Sequence, residues 1–179
     1  MIYRKIVPVL LFPVIAMMFV VTLSNILVQF SINNWLTWGA FTFPIAFLVT
    51  DVSNRYLGPI RARKVVYFGF ILAVILSLIL ADIRIAIASG IAFLTSQLLD
   101  IYIFNKLTRK VWWVPPLASS FISSFIDTVL FFMLAFAFLD LPWVSWAFGD
   151  YSVKVIASLI LLVPYRVFIK TFVPIHKQV

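Results

Sequence analysis

Cysteine and glutamate are both absent from the 179 residues, and the chain has a single histidine, His176, near its C-terminus. Without cysteine there can be no disulfide, no thiolate metal site and no cysteine nucleophile. Only five glycines are present and none forms a glycine-rich phosphate loop, so the chain cannot hydrolyse ATP by itself. The sequence therefore predicts neither a cofactor nor a metal site.

Charge is also scarce, and apolar residues take its place. Charged residues make up 11% and hydrophobic residues 64% of the chain, with a mean hydropathy of +1.14. Soluble domains contain about 25% charged and 45–50% apolar residues. A helix needs ~20 apolar residues to cross a bilayer, so the length accommodates six spans joined by short loops. We expect an all-α integral membrane protein with six transmembrane helices.

Six long apolar runs mark the predicted spans, which form a single domain over residues 1–179. They cover about 6–30, 36–56, 64–81, 84–107, 115–139 and 152–173. The first run is too long and ends with too many polar residues for a cleaved signal peptide, so we interpret it as the first span. The turn at Asp82 and Ile83 is so tight that the third and fourth spans must be antiparallel neighbours.

The net charge of +8 is distributed unevenly along this topology. Twelve of the 14 basic residues fall on one side of a six-helix arrangement, which leaves only Arg84 and Lys154 on the other. Cytoplasmic loops are enriched in lysine and arginine, so both termini are predicted to be cytoplasmic. The basicity thus indicates topology rather than nucleic-acid binding.

Three aspartates fall within or near the spans. Asp51 lies on the second predicted helix, Asp100 on the fourth and Asp127 on the fifth, all at similar depth. An ionisable group inside a membrane is costly and usually faces the interior of the bundle, where it handles substrate or protons. No basic residue lies within a turn of Asp127, which makes it the strongest candidate for a ligand contact.

Other polar residues accompany these aspartates at helical spacing. Gln97 stands three residues before Asp100, and Asn105 follows it. Asn54 and Arg55 lie one turn after Asp51, so Asp51 and Arg55 could form a structural ion pair or an inner gate. Asn25 and Gln29 lie near the outer end of the first predicted helix. The serine stripe of the fifth helix favours helix packing, and Asp150 with Lys154 predicts an exposed salt bridge.

Short polar motifs occur in a characteristic order between about residues 24 and 165. They are Ser24-Asn25, Val28-Gln29, Thr37-Trp38-Gly39-Ala40-Phe41, Phe43-Pro44, Thr50-Asp51, Gln97 with Leu99-Asp100, Phe104-Asn105, Trp112-Trp113 with Pro115, Asp127-Thr128, and Asp150-Tyr151 with Lys154. The ordered set resembles the queuosine precursor transporter family, also called the vitamin uptake transporter family.

This resemblance implies an importer of 7-cyano-7-deazaguanine and 7-aminomethyl-7-deazaguanine in the bacterial inner membrane. It also implies a fold similar to the substrate-binding subunits of energy-coupling-factor transporters. A guanine-like edge offers N1–H and an exocyclic amine as paired donors, for which a carboxylate is the matching acceptor, while O6 needs a donor. Asp127 and Asp100 compete for the donor edge. Gln97 and Asn25 are expected to orient the base, and Gln29 or Asn105 could also donate to O6.

The residues are also compatible with two other functions. The chain could be a membrane subunit of a multi-component uptake system for another small vitamin-like base, borrowing a separate ATPase. It could also be an intramembrane aspartyl enzyme, although the Gly-x-Gly-Asp signature expected of such proteases is absent. The favoured interpretation is that the chain is a transporter and not an enzyme. Its expected partners are a deazapurine and the lipid bilayer. The sequence is compatible with a homo-oligomer.

Overall fold

A computed structural model of the protein describes residues 3–173, with side-chain surroundings from residue 10 onward. His176 therefore lies outside the described residues, as do the two chain ends whose location was predicted. The described residues form seven helices joined by short loops, without a β-strand. These are α1 (Tyr3–Leu27), α2 (Gly39–Thr42), α3 (Pro44–Leu57), α4 (Pro59–Leu80), α5 (Ile83–Leu107), α6 (Val114–Phe136) and α7 (Trp143–Phe172). The all-α prediction is confirmed.

Five of these helices are long and apolar enough to cross a membrane, namely α1, α4, α5, α6 and α7. The second predicted span is instead divided into α2, of 4 residues, and α3, of 14 residues. Pro44 starts α3 and has no backbone N–H, so it cannot donate to the carbonyl of Ala40 and the helical ladder is interrupted there. The predicted region is helical but discontinuous.

The last helix begins at Trp143, nine residues before the predicted start at residue 152. Pro142 precedes the first turn, a position where its missing N–H is tolerated, and the apolar run from Trp143 to Phe148 continues the helix outward. Asp150 and Lys154 consequently lie inside α7 and not at its first turn. Similarly, α4 begins at Pro59 instead of residue 64, because Gly58 turns the chain there with φ +84°.

The tight turn between the third and fourth predicted spans is confirmed. The side chain of Asp82 caps α5 by accepting a 2.9 Å hydrogen bond from the backbone N–H of Arg84. Helices α4 and α5 pack against each other on either side of this turn. Gly90 allows the close approach, since an added Cβ would lie 3.3 Å from the Phe70 ring.

The distribution of polar and apolar side chains is the reverse of that in a soluble protein. Large apolar side chains such as Ile79 (74% exposed) and Val163 (67%) cover the outer surface, while Gln97 and Asp100 are fully buried. A surface of this kind is suited to lipid, because soluble monomers rarely expose large contiguous apolar patches. Multiple apolar helices therefore make this a multi-pass membrane protein with a polar centre.

Candidate functional site

Two groups of buried polar residues occupy the interior of the bundle. We call the first the carboxyl cluster, which consists of Thr50, Asp51, Gln97, Asp100, Ser119 and Ser120. We call the second the lysine cluster, which consists of Ser96, Asp127, Thr128, Asp150 and Lys154. Every member of both clusters is buried. The two clusters differ in how completely their polar atoms are paired.

The carboxyl cluster joins α3, α5 and α6. The hydroxyl of Thr50 donates to Oε1 of Gln97, which fixes the side-chain amide of Gln97 and leaves its NH₂ group facing away. Nε2 of Gln97 has no hydrogen-bond partner among the described residues. Asp51 accepts long hydrogen bonds from Ser119 (3.5 Å) and Ser120 (3.4 Å).

Asp100 is the least satisfied group of this cluster. Its carboxyl is fully buried and faces Asp51 and the hydroxyl of Ser119. Within the described residues, however, neither of its oxygens accepts a hydrogen bond of acceptable geometry, and no lysine or arginine pairs with it. Buried polar atoms in native proteins are nearly always paired with protein, water or ligand. This centre therefore has a surplus of acceptors and one free amide donor.

The lysine cluster is fully paired by contrast. Nζ of Lys154 donates to Oδ2 of Asp127 (2.8 Å), Oδ2 of Asp150 (2.6 Å) and Oγ1 of Thr128 (2.9 Å). These three bonds use all three ammonium protons. The ammonium also lies 4.8 Å from the centre of the Phe43 ring, a favourable cation–π distance. The salt bridge predicted between Asp150 and Lys154 is present, but the prediction that it is exposed was wrong.

Asp127 was the strongest candidate for a ligand contact because no basic partner lies within a turn of it on α6. The structure supplies that partner from α7, 27 residues along the chain. Its other oxygen, Oδ1, accepts a 2.9 Å hydrogen bond from Ser96 on α5. Both oxygens of Asp127 are thus engaged, which makes it a weaker candidate than Asp100 for reading a ligand's donor edge.

The remaining predicted residues lie in different surroundings. Asn25 is buried and donates to Ser77 (2.9 Å) near the lysine cluster. Gln29 is exposed and donates to the backbone carbonyl of Asn25, away from both clusters. Asn105 donates to Asn54 (3.2 Å), at the end of α5 beyond Asp100. The structure therefore unites Gln97 and Asp100 with Asp51, but it separates Gln29 and Asn105 from them.

Arg55 does not form the suggested ion pair with Asp51. Its Nε donates instead to the hydroxyl of Tyr165 on α7 (3.0 Å), and its guanidinium lies 5.1 Å from the centre of the Phe104 ring. The ion pairs found among the described residues both involve Lys154. Arg55 thus ties α3 to α7 and leaves Asp51 to the serine hydroxyls.

Two small cavities border these clusters, each of about 20 Å³. One is lined by Asn25, Gly39, Phe43, Asp127, Asp150 and Lys154, among others, and we call it cavity A. The other is lined by Pro44, Asp51, Ser120, Ser124, Lys154 and Tyr165, among others, and we call it cavity B. Either volume holds about one water molecule. Neither cavity would admit a bicyclic base until helices separate, so the structure is closed at these two clusters.

Sequence reasoning missed several members of the clusters, above all Lys154. Its signal was present in the charge distribution, where it was one of only two exceptions to the one-sided pattern. A lysine that breaks such a pattern is a candidate for burial within a span. Thr50 and Ser96 gave no comparable signal, because hydroxyls are common in transmembrane helices and their partners lie on other helices. No group of three or more histidines, cysteines or acidic residues converges as a metal site in the described residues.

The chain is similar to known transporters over most of its length. Residues 37–82 and 80–169 match the family described as "Putative vitamin uptake transporter". The queuosine precursor transporter of Escherichia coli K12 is 33% identical, over 81% of this chain and 79% of its own. The probable queuosine precursor transporter of Haemophilus influenzae is 36% identical, over 72% of this chain and 66% of its own. That of Bacillus subtilis is 28% identical, over 77% and 73%. No solved structure matches the chain.

Proposed function

Because the chain belongs to the vitamin uptake transporter family, we propose that it imports queuosine precursors, namely 7-cyano-7-deazaguanine and 7-aminomethyl-7-deazaguanine. The names of its relatives support the class of substrate. The polar centre supports the specific base, since it presents groups that complement the hydrogen-bonding edge of guanine.

Recognition of the base is assigned to Gln97 and Asp100, which stand at i and i+3 on one face of α5. The N1–H and exocyclic amine of a deazaguanine are neighbouring donors that one carboxylate can accept together, and Asp100 has both oxygens unpaired within the described residues. The free NH₂ of Gln97 is the donor that O6 requires. This match between unpaired protein atoms and the ligand edge is the observation that carries the proposal.

Thr50 and Asp51 complete the site. Thr50 holds Gln97 in the orientation that presents its NH₂ group. Asp51 faces Asp100 and offers further acceptors to the exocyclic amine. Asn25, which the sequence also suggested, lies beside cavity A and would contact the base only during its passage from that side. Gln29 and Asn105 are not assigned to binding.

The proposed topology has six passes, with α2 and α3 together forming the second. Broken transmembrane helices commonly line substrate sites near the bilayer centre, and Phe43 and Pro44 at this break each border a cavity. Since Lys154 lies within α7, Arg84 is now the single basic residue left on the outer side of the proposed topology. This strengthens the assignment of both termini to the cytoplasm of a cell with an inner membrane. The similarity to energy-coupling-factor subunits stays a prediction.

The test is queuosine in the tRNA of bacteria that can neither synthesise its precursor base nor import it. Cells are given this protein, an empty vector or the Asp100→Asn variant, and low external 7-cyano-7-deazaguanine. We expect wild type alone to restore queuosine. An absence of queuosine in wild-type cells with confirmed membrane expression would contradict the proposed substrate. Restoration that requires a co-expressed ATPase would instead support a subunit of a multi-component uptake system.

A further inference from the structure

Lys154 lines both cavities. Cavity A lies on the side of α7 that also presents Asp150, and cavity B continues along α7 toward Ser158 and Tyr165. The side chain is only 4% exposed, and its ammonium touches Phe43 at the break between α2 and α3. It therefore lies between the two spaces, in the way of any solute that passes from one to the other.

The bonds that hold Lys154 are divided between two helices. Asp150 is on α7 together with Lys154, whereas Asp127 and Thr128 are on α6. If α6 and α7 separate, Lys154 keeps its bond to Asp150, and Asp127 keeps its bond to Ser96 on α5. A bare ammonium in a membrane interior would be costly. Asp150 keeps the ammonium of Lys154 paired, so α6 and α7 can separate without leaving an isolated charge.

We propose that Lys154 is the internal gate between cavity A and cavity B, and that Asp150 is the resting partner that holds its charge while the gate is open. The gate is closed when Lys154 bridges to Asp127 and open when it is held by Asp150 alone. This inference extends the proposed import function by assigning a moving part to the pathway, but the barrier it describes does not depend on which solute crosses.

The proposal predicts opposite effects for two neighbouring substitutions. Lys154→Met removes the bridge to α6 and should leave the barrier leaky. Asp150→Asn removes the charge of the resting partner while its side-chain oxygen can still accept from Thr128, so that Lys154 stays on Asp127 and the barrier opens less often. Two substitutions that merely damaged the same packed cluster would change the barrier in one direction. Lys154→Arg keeps the charge and should remain closer to wild type than Lys154→Met.

The absence of native cysteine makes the barrier measurable without any substrate. A single cysteine is introduced at Ser158 in cavity B, and a membrane-impermeant methanethiosulfonate reagent is added to the cavity A side of oriented proteoliposomes. A cysteine at Ser24 in cavity A reports on the same side as a reference. Lys170→Met, an exposed basic residue on the same helix, is the matched control.

We expect Lys154→Met to accelerate labelling at position 158 at least tenfold, Asp150→Asn to slow it severalfold, and Lys170→Met to leave it unchanged. Gel filtration before labelling selects folded protein for each variant. Equal labelling in wild type, Lys154→Met and Asp150→Asn, or a change of the same sign in both variants, would overturn the gate. Because no deazaguanine is used, that result would leave the proposed substrate standing, and a failed queuosine test would leave the gate standing.

Discussion

Both buried clusters contain two aspartates and several hydroxyl side chains, but they differ in how their hydrogen-bonding capacity is used. In the lysine cluster, the ammonium of Lys154 donates all three protons and both oxygens of Asp127 accept a bond. In the carboxyl cluster, Asp51 and Asp100 face each other, and within the described residues both oxygens of Asp100 and the amide nitrogen of Gln97 are unpaired. The first cluster is complete by itself, whereas the second leaves acceptors that the proposed donor-rich ligand would pair.

The function of a buried carboxylate therefore depends on its partners from other helices and not only on the residues of its own helix. By sequence, Asp127 is the more isolated of the two aspartates and the better candidate for substrate. In the structure it is already neutralised by a lysine from another helix, so its bonds stabilise the closed form. Among the described residues Asp100 has no such cation, and its unmet acceptors are the chemical reason to expect binding there.

The largest expected effect is the loss of uptake in Asp100→Asn. The asparagine would present an NH₂ group to the donor edge of the base and lose charge-assisted bonds worth ~1.5–3 kcal/mol each. We expect initial uptake of radiolabelled 7-cyano-7-deazaguanine to fall roughly 100-fold or more. Asp140→Asn, at an exposed position, is the control and should transport normally. Uptake at the wild-type rate in Asp100→Asn would contradict the proposed difference in role between the two clusters.

The next effect concerns stability. Lys154→Met leaves two buried carboxylates without their cation, and breaking a buried pair in this way costs about 3–5 kcal/mol. Asp150→Asn leaves a one-to-one pair of Lys154 with Asp127 and should cost less. Thermal unfolding in one detergent should therefore rank wild type above Asp150→Asn, with Lys154→Met lowest. The reverse order for the two variants would show that the lysine cluster does not act as a paired unit.

A smaller effect is expected for Thr50→Val, which removes the hydroxyl that orients Gln97. Loss of this hydrogen bond, worth ~1 kcal/mol, should raise the KM for the base roughly fivefold while maximal uptake changes little. Ser96→Ala, which removes a similar bond from the lysine cluster, is the matched control and should leave KM unchanged. A shift of KM in Ser96→Ala but not in Thr50→Val would show that the lysine cluster, and not the carboxyl cluster, recognises the base.

The smallest effect is expected at Gln29. This residue is exposed and bonds only to backbone carbonyls of α1. Surface substitutions of this kind change the free energy of unfolding by less than ~0.5 kcal/mol, and we expect Gln29→Ala to transport within about twofold of wild type. A tenfold loss of uptake would restore Gln29 to the candidates for donating to O6.

The sequence predicts the helical class, the position of most helices and the location of Asp51, Asp100 and Asp127 within them, because hydropathy and helical spacing act within a single element. It also places Gln97 and Asp100 on one face of α5, where both are buried. It does not reveal that Lys154 meets Asp127, because contacts between helices depend on their rotation and packing. The early start of α7 was missed because the tryptophans from Trp143 onward resemble a membrane-interface segment.

Asp100 is proposed to accept hydrogen bonds from the donor edge of a guanine-like base. The most direct test is to measure the Kd of purified protein for 7-cyano-7-deazaguanine and for the analogue that lacks the exocyclic 2-amino group. Wild type and Asp127→Asn should both prefer the amino compound by about tenfold or more, whereas Asp100→Asn should bind the two almost equally. If Asp100→Asn kept the full preference and Asp127→Asn lost it, the assignment of the two clusters would be contradicted.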